Sequence, residues 1–308
     1  MVASWKQQRE RGSKRLLHLA AWLTLTFGRR FGCALMVPIS LYFALFSQGT
    51  ANVSRRYLER ALPTRVRFWH VFRHYLTFSI TIMDRFYFLT NRLRPFRFEV
   101  KGTEHLMRFT DARKGCILLG AHLGSFESLR CLALQKKDLP IKAAYYEHNS
   151  QQIDELLHKL NPAVDAMLIR LGSPHSMLEV REFLDAGGIV GVLGDRSRAN
   201  EKTCAVEFLG APAPFPLWPF RLAAATGAPL VLFFGLYLGG GRYEIVFEPL
   251  ADGIRPEQAR RPEEMQELIR GYVERVEHHC RRAPYNWFNF FDFWRRPETA
   301  PADRSVLA

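Results

Sequence analysis

Residues 116–127 read CILLGAHLGSFE. The first six form an unbroken apolar run, as expected of a strand buried on both faces. A histidine ends the run and a Gly-Ser turn follows. Phe126, Leu129, Leu132 and Ala133 then recur as one stripe, so residues 126–136 read as a helix. The same alternation extends along the chain. Residues 97–102 (RFEVKG) read as a strand and 103–111 as a short helix. Strands are expected at 141–146, 166–169 and 189–193, and a helix at 151–160. Another helix is expected at 173–185, with Ser173 as N-cap, Pro174 in its first turn and Gly187 and Gly188 ending it. Residues 229–238, Gly239-Gly240-Gly241 and 242–248 make a strand–turn–strand hairpin. Residues 263–282 carry Met265, Leu268, Ile269, Tyr272, Val273 and Val276 on one helical face. This order implies an α/β fold: a mixed, mainly parallel central sheet covered by helices. Ligands of such sheets sit beyond the carboxyl ends of the strands. Attention therefore falls on the residues after Ala121 and after Leu193.

At the first place stand His122 and Glu127, the acid on the first turn of the helix. Five residues along a straight helix would separate two side chains by about 140°. With His122 before the helix, the turn can bring the two together. Glu127 would then hold one imidazole nitrogen, leaving the other to take a proton from a hydroxyl. No serine nucleophile accompanies the pair, so a substrate hydroxyl would attack. The alternative is a turn-capping histidine beside a solvated glutamate. A metal site is the weaker reading, because the spacing is not the i,i+4 pair of HExxH and no third ligand is evident.

At the second place stand Gly194, Asp195 and Arg196. Arg196 could grip a phosphate or carboxylate bidentately, with Asp195 orienting it or accepting from a substrate hydroxyl. The alternative is a local surface ion pair. Residues 207–216 (EFLGAPAPFP) contain three prolines and a glycine. They read as a rigid apolar loop rather than regular structure, with Phe208, Leu209 and Gly210 placed to wall a hydrophobic pocket. A helix follows at 217–226.

Composition agrees with one large domain bearing an appendage. The chain has 308 residues, 48% of them hydrophobic and 13% aromatic, which is ample for a core. Five cysteines without a CxxC pair exclude a zinc ribbon and argue against a disulfide framework. The net charge is +13, and residues 1–100 hold 17 Lys/Arg against 4 Asp/Glu, so the whole excess lies there. A basic third on a neutral body suggests a polyanionic partner: anionic lipid, an acidic carrier protein or nucleic acid.

Within that third, residues 31–46 (FGCALMVPISLYFALF) carry no charge but contain Pro38. A spanning helix wants about 20 apolar residues. Extending this run backwards would bury Arg29 and Arg30, at about 2.5–3.5 kcal/mol each. Residues 1–30 hold seven Lys/Arg and residues 47–75 hold six. The positive-inside rule keeps both flanks on the cytoplasmic side. A monotopic or re-entrant segment satisfies this better than a single span. The arginine–aromatic interleaving of residues 55–97 fits either nucleic-acid stacking or a helix between core and lipid, and the neighbouring apolar run favours lipid. The expected organisation is a membrane-associating helical region at 1–96, an α/β body at 97–296 and a disordered tail at 297–308.

Five blocks taken in order carry a resemblance. They are His122-x4-Glu127, Gly194-Asp195-Arg196, residues 208–213 (FLGAPA), residues 228–231 (APLV), and Pro284-x2-Trp287-Phe288. Together they resemble the bacterial lipid A late acyltransferases, lauroyl and myristoyl transferases of the lysophospholipid acyltransferase superfamily. The resemblance covers about residues 10–296. It implies an O-acyltransferase without cofactor or metal, with His122 as general base and Glu127 as its partner. Gly194, Asp195 and Arg196 would belong to the substrate pocket. It further implies an acyl-carrier protein as donor, a membrane lipid or glycolipid as acceptor, an anionic membrane surface as support and no nucleic acid. The expected location is the cytoplasmic face of the bacterial inner membrane. Two positions depart: that family usually has Asp-Gln where this chain has Asp195-Arg196, and residues 197–200 (SRAN) match no pattern. Oxyanion donors are expected at backbone N–H groups near Gly124 or at Arg196.

Overall fold

The structure is a computed structural model. It describes residues 14–129, 139–146, 167–197, 201–255, 257–258 and 261–294. Four helices come first: α1 (Lys14–Phe27), α2 (Arg29–Phe46), α3 (Gln48–Ala61) and α4 (Phe68–Leu89). The body then runs β1 (Arg97–Lys101), α5 (Thr103–Asp111), β2 (Cys116–Gly120), β3 (Ile141–Tyr146), β4 (Leu168–Leu171), α6 (Pro174–Asp185) and β5 (Ile189–Leu193). It continues with β6 (Thr203–Phe208), β7 (Ala211–Pro216), α7 (Trp218–Thr226), β8 (Leu230–Gly239), β9 (Arg242–Ala251) and α8 (Pro262–Arg282). The expected helix at 151–160 lies outside the described residues, as does most of the one at 126–136.

Seven strands form one sheet in the order β1-β9-β8-β2-β5-β3-β4. Only the β8–β9 hairpin is antiparallel; every other pair is parallel. The mixed, mainly parallel sheet is the expected α/β architecture. Its centre, β2, is buried at every position, which accounts for a run of apolar residues without polar alternation.

Residues 207–216 correct the expectation of an irregular loop. β6 and β7 form a two-stranded antiparallel hairpin turned by Leu209 and Gly210, both at positive φ. Pro212, Pro214 and Pro216 face Glu207, Ala205 and Thr203. They alternate, so their missing N–H groups all fall on one edge. Proline is tolerated in such an edge strand.

The helical third packs onto the sheet. α2 buries Gly32, Met36, Ser40 and Ala44, one residue per turn. The approach to α4 is close: a Cβ on Gly32 would fall 2.5 Å from Met83 Sδ. At its start Arg29 makes two 2.8 Å bonds to the buried Asp84 on α4, and Asp84 also accepts from Tyr243 Oη on β9. α2 is the one described helix long and apolar enough to cross a membrane, judged by length and composition.

Candidate active site

Strand register brings the two sequence sites together. β2 lies beside β5 in parallel, with Cys116 opposite Ile189 and Gly120 opposite Leu193. Continued two residues, that register sets His122 beside Asp195. At Gly194 a Cβ would lie 2.6 Å from Leu119 Cδ1, so a larger residue there would displace that side chain.

Asp195 is fully buried and receives four donors. His122 Nδ1 lies 2.7 Å from Oδ1. The His122 backbone N–H (3.0 Å), Trp287 Nε1 (3.1 Å) and Asn289 Nδ2 (2.8 Å) all reach Oδ2. Burial alone would raise this carboxyl; the His122 imidazole and the Arg196 guanidinium outweigh it and hold the group at about 2. It is therefore an anion at neutral pH and can only accept. Nδ1 of His122 must carry the proton, which leaves Nε2 with a lone pair. The imidazole side chain is 26% exposed, so a second molecule can reach it. Desolvation, followed by the Arg196 charge, lowers the His122 pKa below its ordinary value despite the pull of Asp195. The ring is neutral at pH 7.

The expected pairing of His122 with Glu127 is not what the structure shows. Glu127 accepts from Ser125 Oγ at 3.1 Å and forms an ion pair with Arg85 Nε at 2.9 Å. The turn between the two residues is pinned at two points. Gly124, at φ +76°, donates to Asn286 O at 2.8 Å, and Ser125 N–H donates to Gly235 O at 2.8 Å. A Cβ on Gly124 would fall 2.0 Å from Gly235 O. These bonds engage the N–H groups of Gly124 and Ser125, two of the backbone donors that lie near Gly124.

Arg196 is directed inward. Its Nε donates to Asn289 Oδ1 at 2.6 Å and one Nη to Phe288 O at 2.9 Å. Asn289 thus bridges Asp195 and Arg196. Phe208 and Leu209 lie behind this layer and not on an open wall. Phe208 is fully buried, with its ring 5.2 Å from that of Trp287. Leu209 is buried and Gly210 exposed at the hairpin tip.

Sequence reasoning missed three contributors: Arg85 on α4, and Trp287 and Asn289 on the strap after α8. The strap runs beside the histidine turn, with Phe288 N–H donating to His122 O at 2.8 Å. The Trp287 block carried a signal, since it entered the resemblance. Arg85 carried none, being one arginine among many. Among the described residues no group of three His, Cys, Asp or Glu could hold a metal ion.

A family model for bacterial lipid A biosynthesis acyltransferases matches residues 13–296, nearly the whole chain. The chain belongs to that family. Among curated proteins no match is found. A lipid A biosynthesis acyltransferase takes an acyl donor and a lipid acceptor, and the family is membrane-associated. The matched range includes α1–α4 as well as the sheet.

Proposed function

We propose that this acyltransferase moves a fatty acyl group from the thioester of an acyl-carrier protein to a hydroxyl of a lipid or glycolipid acceptor, with His122 as general base. The observation that carries the reading is the 2.7 Å bond from His122 Nδ1 to a buried, ionised Asp195, which leaves Nε2 of a partly exposed imidazole unprotonated. A basic nitrogen fixed in one tautomer at a strand end is what abstraction of a hydroxyl proton needs. The acceptor oxygen attacks the thioester carbon as its proton passes to Nε2. The carbonyl π pair moves onto oxygen, then returns and expels the thiolate. The imidazolium gives its proton to the departing sulfur, so ester and free thiol leave and His122 is neutral again. Asp195 stabilises the transient imidazolium without taking the proton.

The enzyme acts at the cytoplasmic face of the inner membrane, with α2 lying in the leaflet rather than spanning it. Eighteen helical residues reach about 27 Å, short of a hydrocarbon core of about 30 Å. One face of α2 is already occupied by α4, and the basic flanks favour one side of the membrane. The acidity of acyl-carrier proteins suits the +13 net charge.

The test is acyl transfer by purified enzyme with dodecanoyl-acyl-carrier protein or dodecanoyl-CoA and an underacylated lipid A. His122→Ala is expected to lower turnover by at least about 10²-fold. A smaller loss removes His122 from the role, and equal rates with the CoA donor remove the carrier protein from it.

A further inference from the structure

The reaction just described creates a negative oxygen, and three N–H groups of the turn next to His122 are already engaged. The N–H groups of His122, Gly124 and Ser125 donate to Asp195, Asn286 and Gly235. Arg196 spends Nε and one Nη on Asn289 and Phe288. A different cation adjoins the turn. Arg85 reaches there from α4, and its Nε lies 2.9 Å from Glu127 Oε2. Among the described residues Glu127 is its one ion-pair partner. Both side chains are partly open, at 27% and 19%. A carboxylate at Nε sets the plane of a guanidinium and leaves the Nη N–H groups to act elsewhere. Glu127 is itself fixed by Ser125 Oγ, and Ser125 is buried. The Arg85 charge is felt at the site, since it disfavours protonation of both His122 and Arg196.

We propose that Arg85 bears the oxyanion of the acyl transfer and that Glu127 serves as its orienting carboxylate, not as the partner of His122. This rests on the reading of His122 given above. When the acceptor oxygen bonds to the thioester carbon, the carbonyl pair moves onto oxygen and Arg85 Nη–H donates to it. When the C–S bond breaks, the charge leaves with the sulfur and the donation weakens. Arg85 thus acts in the transition state more than on bound substrate, so its loss falls on kcat. Glu127 is a positioning residue, and its loss acts through Arg85.

The experiment uses the full chain in detergent with dodecanoyl-acyl-carrier protein and underacylated lipid A. Arg85→Gln is expected to lower kcat by about 10²–10³-fold with little change in either KM. Removing a nearby positive charge also raises the His122 pKa, so the acid limb of kcat/KM moves to higher pH. Arg85→Lys, which keeps the charge beside Glu127, restores the position of the limb and part of kcat. Glu127→Gln lowers kcat less than Arg85→Gln, and the double variant is no slower than Arg85→Gln. A rise in KM alone, unchanged kinetics, or a fall in kcat with an unmoved acid limb overturns the assignment. Failure of the underlying reading looks different: either the wild-type chain transfers no acyl group, or His122→Ala is as fast as wild type.

Discussion

Asp195 is buried and already committed to groups of its own chain. Its two oxygens already take a ring N–H, a backbone N–H, an indole N–H and an amide N–H. Such a carboxylate orients and stabilises. Asparagine at this position is nearly isosteric but places an NH2 where donors converge, and it favours the wrong imidazole tautomer. Asp195→Asn is therefore expected to cost at least about 10²-fold in kcat, with acceptor KM little changed. A loss below tenfold would detach Asp195 from His122 function. The pH dependence has a definite sign. The His122 pKa lies below its ordinary value, so the neutral base persists as pH falls through about 6.5. The plateau of kcat/KM should extend to more acid pH than for a free imidazole, and an acid limb at or above pH 7 would contradict this. His122 and Asp195 were both legible as strand-end residues. Their pairing was not, because it depends on β2 and β5 being neighbours across 73 positions. The nearer acid, five residues on, offered itself to sequence reasoning and is held elsewhere by a helix far upstream.

Helix α4 is the element through which the N-terminal third enters the site. Along it, His74, Phe78 and Arg85 reach the Trp287–Phe290 strap or Glu127. The buried His74 donates from Nε2 to Trp287 O at 2.8 Å, since a carbonyl can only accept, and Nδ1 takes the Ser54 hydroxyl at 2.8 Å. That arrangement requires a neutral ring. Burial drives its pKa down to about 4 from 6.5, with the Trp287 bond opposing. The unfolded chain binds the proton more readily. This contribution to stability is therefore complete above about pH 6.5 and is lost as pH falls through about 4. Its size is about 3 kcal/mol. Melting temperature followed from pH 7 to pH 4 should fall, and His74→Gln should flatten that fall even though it lowers stability at pH 7. An unchanged slope would show that His74 is not the titrating group. Strand β8 explains the glycine at 124. Gly124→Ala puts a Cβ into the Gly235 carbonyl at a positive φ, and should abolish activity or folding, unlike Gly210→Ala at the open hairpin tip. Helical periodicity and apolar runs exposed most elements in the sequence. They failed at 207–216, where proline chemistry normally excludes strands. Only the alternation of the prolines, on an edge that needs no N–H, allows one.

For the molecule as a whole, charge and apolar exposure coincide. The excess of basic residues sits on the first hundred positions, and the largest exposed apolar side chains cluster there too. Trp22 is 58% exposed, Tyr42 57%, Phe46 67% and Trp69 66%. On α2, Tyr42 and Phe46 share the helix with the buried row Gly32, Met36, Ser40 and Ala44, so its exposed and protein-facing sides are distinct. A helix divided in this way suits the plane of a leaflet, where it can sink its aromatics while arginines meet phosphates. Burying one such aromatic is worth about 1.5–3 kcal/mol. Tyr42→Glu and Phe46→Glu should thus each weaken sedimentation with anionic vesicles by about tenfold or more. Neither side chain is buried in the fold, so melting temperature in detergent should hold. Added salt should weaken the same binding by screening the arginines. A span predicts otherwise: salt and alkaline washing would leave the protein on the vesicles. Retention of both variants after such a wash would replace the in-plane helix with a spanning one, and would require the contact of α2 with α4 to lie within the bilayer.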